Sequence, residues 1–85
     1  MQILRTERFR RDFRRLPAEA QDRLGKALEQ FVANPRHPAL RVKKMEGAPR
    51  IWELRVSDNY RMTLEYCEGG VILRRVGTHD ILRRP

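Results

Sequence analysis

Two side chains carry most of the chemistry this chain could perform. One is Arg61, in "DNYRM"; the other is His79, in the closing stretch "RRVGTHDILRRP". An imidazole with a pKa near ~6.5 can give or take a proton at neutral pH. A guanidinium fixed on a strand stabilises charge that develops in a transition state. Together they suit cleavage of an RNA backbone without a metal: the 2′-OH must be deprotonated, the phosphorane's charge held and the 5′-oxygen protonated. Other chemistries find less support. There is no Cys/His spacing pattern, and the carboxylates are scattered among arginines. No Gly-rich phosphate loop or Ser/His/Asp grouping is present. No metal and no cofactor is therefore expected. The alternative reading of His79 is an ordinary strand-end residue. His37, between Arg36 and Pro38, reads as a solvated loop histidine.

The charge balance points the same way. Nineteen Lys+Arg against eleven Asp+Glu give a formal charge of +8. Sixteen of the nineteen cations are arginine, whose planar fork suits phosphate. Self-repulsion of this size has no evident structural benefit, so an anionic partner is expected, either nucleic acid or an acidic protein. Eighty-five residues make one domain, 1–85, with a thin core. A single cysteine, Cys67, argues against a disulfide framework and suits a reducing cytosol. No apolar leader and no run of ~20 apolar residues occurs, so a cytoplasmic protein without membrane contact is expected.

The elements that must position these residues follow from the hydrophobic pattern. "QILR" (Gln2–Arg5) reads as a first strand, and Thr6 as the N-cap of a helix starting at Glu7. Phe9, Phe13 and Leu16 form its apolar stripe, surrounded by Arg8, Arg10, Arg11, Arg14 and Arg15. Pro17 separates it from a second helix, whose apolar face is Ala20, Leu24, Ala27, Leu28, Phe31 and Val32. Asn34 and Pro35 end that helix. Beyond Arg41, "VKKME", "IWELRV", "YRMTLEY" and "VILRRV" read as strands separated by turn-forming stretches. The expected class is α+β: one N-terminal strand, two helices, then a three- to four-stranded antiparallel sheet with the helices packed on one face.

Alternation along the strands assigns the two faces. Trp52, Leu54, Val56, Tyr60, Met62, Leu64 and Tyr66 are expected to meet the helices. Glu53, Arg55, Arg61, Thr63 and Glu65 are expected to line an open outer face. Lys43, Lys44, Arg74 or Arg75, and His79 are the expected neighbours there. The parity of the last strand is ambiguous, because a bulge near Gly77 would re-aim the histidine. Such a basic face suits a phosphate track. It also suits simple cross-strand neutralisation of Arg55 and Arg61 by Glu53 and Glu65.

The order of elements and "VKKMEGAPRIWELRVSDNYRMTLEY…VILRRVGTHD" resemble the RelE/ParE superfamily of bacterial toxins, across essentially the whole chain. "IWELRVSDNYRM" carries the pattern W-x-L-R-x(4)-Y-R. The resemblance implies the toxin of a type II toxin–antitoxin system, an endoribonuclease that cuts mRNA on the ribosome and so inhibits translation. It places Arg61 at the scissile phosphate, His79 as general acid, and Glu46 or Glu53 as the base. Lys43, Lys44 and Arg55 match positions that hold the mRNA backbone, with Arg74 and Arg75 on the terminal basic strand beside them. It implies a cognate antitoxin as partner, with assembly beyond a heterodimer left open, and ribosomal RNA as a dock for the arginine-rich helices. The sequence departs from the family in one respect: Asp80 follows the histidine, where many members carry a base-stacking aromatic. Two other readings remain within the resemblance. One is a gyrase-inhibiting toxin without nuclease chemistry; the other is a member that binds its antitoxin but has lost catalysis.

Overall fold

A computed structural model describes all residues, 1–85. Strand β1 (Gln2–Arg5) leads into helix α1 (Glu7–Arg15) and helix α2 (Ala18–Ala33). A 3₁₀ turn (Pro38–Leu40) precedes β2 (Lys43–Lys44), β3 (Trp52–Arg55), β4 (Tyr60–Cys67) and β5 (Gly70–Thr78). A second 3₁₀ segment, His79–Arg83, follows. Thr6 caps α1 as its sequence suggests, its Oγ1 accepting from the Phe9 N–H at 3.0 Å. Pro17, extended and unable to donate, lies between the helices. No helix is long and apolar enough to cross a membrane.

The strands form one sheet in the order β1-β5-β4-β3-β2. The last four strands make the expected antiparallel meander. The N-terminal strand joins the same sheet, parallel to β5, with Ile3 opposite Val71. The sheet is therefore mixed. A Cβ at Gly70 would collide with the Gln2 backbone, so glycine is what lets β1 approach. At the opposite edge β2 is two lysines long, a short charged edge that discourages further strand addition.

Both helices lie on one face. Phe9, Leu24, Ala27 and Phe31 meet Leu54, Met62, Leu64, Val71, Leu73 and Val76 there, with Leu40 closing one end. The helical stripe fades toward the end of α2: Leu28 is half-buried and Val32 is 47% exposed. Trp52 has the expected parity but is only half-buried, packed against the rim of the core.

Beyond Arg5, β5 has no strand on its β1 side, and α1 with its capping residue Thr6 supplies the missing partners. The Thr6 Oγ1 donates to the Arg74 carbonyl at 2.7 Å, and the Asp12 carboxylate accepts the Val76 N–H at 3.2 Å. Unpaired edge groups are thereby satisfied without another strand.

One ambiguity is resolved and one expectation needs correction. The irregularity in β5 lies at Arg74, not near Gly77: Thr63 pairs with Arg75 and Leu64 with Leu73, leaving Arg74 as the extra residue. Val71, Leu73 and Val76 consequently all face the helices. The outer face is also not fully open. Thr63, expected on it as an exposed residue, is completely buried. The chain turns back after His79, Ile81 packs over Gly77, and the main-chain oxygen of Pro85 accepts from the Thr63 hydroxyl at 3.0 Å.

Candidate active site on the outer sheet face

Cross-strand register sorts the candidate residues into rows. Lys43, Glu53, Thr63 and Arg75 form one row, and Arg55, Arg61 and Gly77 the next. His79 comes two residues after Gly77, immediately past Thr78, which pairs with Tyr60. Arg61, on β4, and His79, just past the end of the adjacent β5, therefore belong to the same end of the sheet.

Arg61 is anchored. Its Nη1 donates to the carbonyls of Ser57, Asp58 and Tyr60 at 2.6, 3.3 and 3.0 Å, tying the guanidinium to the β3–β4 turn. The Nε and Nη2 groups make no hydrogen bond within the protein, so one edge of the fork remains for a ligand. A cation held this way needs little reorganisation when charge develops beside it. His79 is exposed at the start of the 3₁₀ segment and is held by no side-chain hydrogen bond.

The two candidate bases separate. Glu53 lies one row from Arg61, its side chain 13% exposed and 3.4 Å from the Lys43 ammonium. Glu46 is exposed in the β2–β3 turn, at the far end of β3. Three strand positions, roughly 10 Å, lie between that end and the Arg55–Arg61 row. Register thus brings Glu53 to Arg61 and leaves Glu46 away from it.

The basic neighbours also diverge. Lys43 is on the outer face, whereas Lys44 pairs with Trp52 and belongs to the helix side. Arg55 has outward register but is paired with Asp58 and lines a cavity of about 580 Å³ with Arg23, Lys26 and Gln30 of α2. It turns around the β3 edge instead of extending the outer face, and its Nε is buried without a partner. Arg74 sits 3.8 Å from Glu65 and donates through Nε to the Pro85 oxygen. Arg75 is held by Asp12. Cross-strand neutralisation thus accounts for Lys43 and Arg74, while Arg61 has carbonyl partners in place of a carboxylate.

Asp12 was not singled out by sequence reasoning, although a lone acid inside "RFRRDFRR" is the available signal. Burial alone would push its carboxyl up. Hydrogen bonds from Arg75 and the Val76 N–H, with the nearby Arg75 and Arg8 charges, outweigh burial and hold it below its usual range. Arg8, Arg11 and Arg15 surround this pair, and the five residues line a polar cavity of about 240 Å³. Their i, i+3, i+7 spacing places them on one side of α1.

The architecture is a RelE-like fold, as comparison with solved structures shows. Three solved structures illustrate the likeness. The YoeB/ParE toxin from Agrobacterium tumefaciens is 14% identical, with a TM-score of 0.76 over 93% of this chain and 99% of that one. RelE in the RelB–RelE antitoxin–toxin complex from Methanococcus jannaschii is 23% identical, with a TM-score of 0.70 over 94% of each chain. The isolated RelE toxin of E. coli is 24% identical, with a TM-score of 0.68 over 89% of this chain and 81% of that one. No protein-family model and no curated protein matches the sequence.

Proposed function

We propose that this chain is the toxin of a toxin–antitoxin pair and acts in the cytoplasm by cutting mRNA held in the ribosomal decoding site, without a metal ion. The fold supports the toxin reading. The single observation that carries the chemistry is the anchoring of Arg61 to the β3–β4 turn, at the sheet end from which His79 emerges.

In this reaction a base takes the proton of the ribose 2′-OH, and the oxygen attacks the adjacent phosphorus. Glu53 is the better placed of the two candidate bases, through its register with Thr63 beside Arg61. Negative charge gathers on the non-bridging oxygens, facing the unpaired edge of Arg61. The P–O5′ bond then breaks as the His79 imidazolium gives its proton to the leaving oxygen, leaving a 2′,3′-cyclic phosphate and a 5′-hydroxyl. Ribosomal RNA offers a polyanionic dock for the α1 arginines, and an antitoxin segment with acidic side chains would oppose the same basic surface.

The test is mRNA cleavage on purified ribosomes, with ends mapped for wild type and His79→Ala. Cleavage by wild type and its loss in His79→Ala are expected. Unchanged cleavage in His79→Ala would remove the proposed acid. Inhibition of gyrase supercoiling with translation untouched would replace the reading by the gyrase-directed one.

A further inference from the structure

Trp52 and Tyr66 meet edge to face, with ring centroids 5.4 Å apart and an interplanar angle of 86°. They have helix-side parity, yet the loop after α2, not a helix, lies against them. A cavity of about 480 Å³ opens there, lined by the two rings, Arg36, His37, Pro38 and Arg41 among others. That volume falls within the ~300–1,000 Å³ typical of small-ligand sites. Tyr66 is 46% exposed, so much of its ring is accessible to a ligand. The edge-to-face contact occupies one ring face and leaves others available for stacking.

The cations are arranged around this aromatic wall. Neither Arg36 nor Arg41 has a carboxylate within ion-pair distance, and no acidic side chain lines the cavity. Lys44, opposite Trp52 in the register, adds a further exposed cation at the edge. Arg41 adopts a left-handed backbone, φ 45°, which a branched or long side chain rarely takes without support. The preceding turn is fixed by His37. Its Nδ1 accepts from the Ala39 N–H at 3.1 Å, and its Nε2 lies 3.3 Å from the Gln30 side-chain amide. Both ring nitrogens are occupied, so His37 is a half-buried positioning residue and not the solvated histidine its loop sequence suggests.

We infer that this cavity binds an unpaired nucleotide of single-stranded RNA, its base against Tyr66 and Trp52 and its phosphate between Arg36 and Arg41. Aromatic faces combined with unneutralised guanidinium groups are the recurring chemistry of single-strand recognition. An aliphatic ligand would use the rings but leave the arginines unpaired. A bare anion would use the arginines but not the rings. The site is separate from the Arg61–His79 end: Tyr66 lies five positions further along β4, about 17 Å, on the opposite sheet face. The inference does not rest on the nuclease reading.

Trp52 is the sole tryptophan, so its emission reports on this cavity. The experiment titrates the purified chain, without ribosomes, with labelled 12-nucleotide oligo(U) and oligo(A), following Trp52 emission and RNA anisotropy together. Emission and anisotropy should change over the same saturating range. Tyr66→Ala should weaken binding about tenfold, and Arg36→Ala combined with Arg41→Gly should do likewise. Glycine suits the left-handed backbone at 41, and Tyr66 is exposed, so both variants should keep the fold. Anisotropy rising without an emission change would overturn the inference, as would affinities equal to wild type in both variants. So would an equal emission change with inorganic phosphate, or with a polyglutamate peptide, which would mark an anion site or a protein-docking site instead.

Discussion

Asp12 grips Arg75 through two hydrogen bonds of 2.9 Å and also takes the Val76 N–H, so one carboxylate joins α1 to the irregular stretch of β5. Their side chains are only 10% and 22% exposed. Asp12→Ala leaves a half-buried guanidinium and a strand N–H without partners, and should destabilise the fold by about 3 kcal/mol in denaturant unfolding. The pH dependence follows from the lowered pKa of Asp12. The unfolded carboxyl titrates near ~3.9, so the stabilisation is fully present above that value and is lost as pH falls through the lower folded value. The stability gap between wild type and Asp12→Ala should stay constant between about pH 5 and 7 and shrink below about pH 4.

Gly70→Ala should be poorly tolerated. The added methyl meets Gln2 backbone, which no side-chain rotation relieves. A loss of about 3 kcal/mol or more is expected, with β1 amides losing hydrogen-exchange protection before those of β4. Equal protection in both strands of a stable Gly70→Ala protein would contradict the tight β1–β5 approach.

Phe31 and Trp52 should rank by burial and not by size. Phe31 is 0% exposed in the centre of the core, whereas Trp52 sits at its rim. Phe31→Ala should cost about 3–5 kcal/mol. Trp52→Ala should cost about 2 kcal/mol, because part of its ring already meets solvent. Chemical denaturation of both variants checks the order.

Arg61 and His79 should differ in what they do for stability. Arg61 ties three turn carbonyls together, so Arg61→Ala should lower stability by about 1–2 kcal/mol as well as abolish cleavage. His79 has no such ties, and His79→Ala should leave the melting temperature within about 1 °C while still abolishing cleavage.

Much of the architecture was legible in the chain itself. Thr6 followed by Glu7 marked a helix start, the spacing from Ala20 to Phe31 marked the buried face of α2, and alternation through Leu54, Met62 and Leu64 marked the helix side of the sheet. These are local periodicities, each set by the geometry of one element. The surplus of arginine, readable by counting, raised the expectation of an anionic partner. Residues far apart in sequence were decided only by the tertiary structure. The pairing of β1 with β5, the extra residue at Arg74, the burial of Thr63 beneath Pro85 and the grip of Asp12 on Arg75 all join segments that no local pattern connects. The site shows the same division. Composition and motif nominated Arg61 and His79, but the cross-strand register put them at one sheet end, kept Glu53 nearby, set Glu46 apart and placed Lys43 and Lys44 on opposite faces. A strand's period of two says which residues share a face; only hydrogen-bonded register says which of them become neighbours.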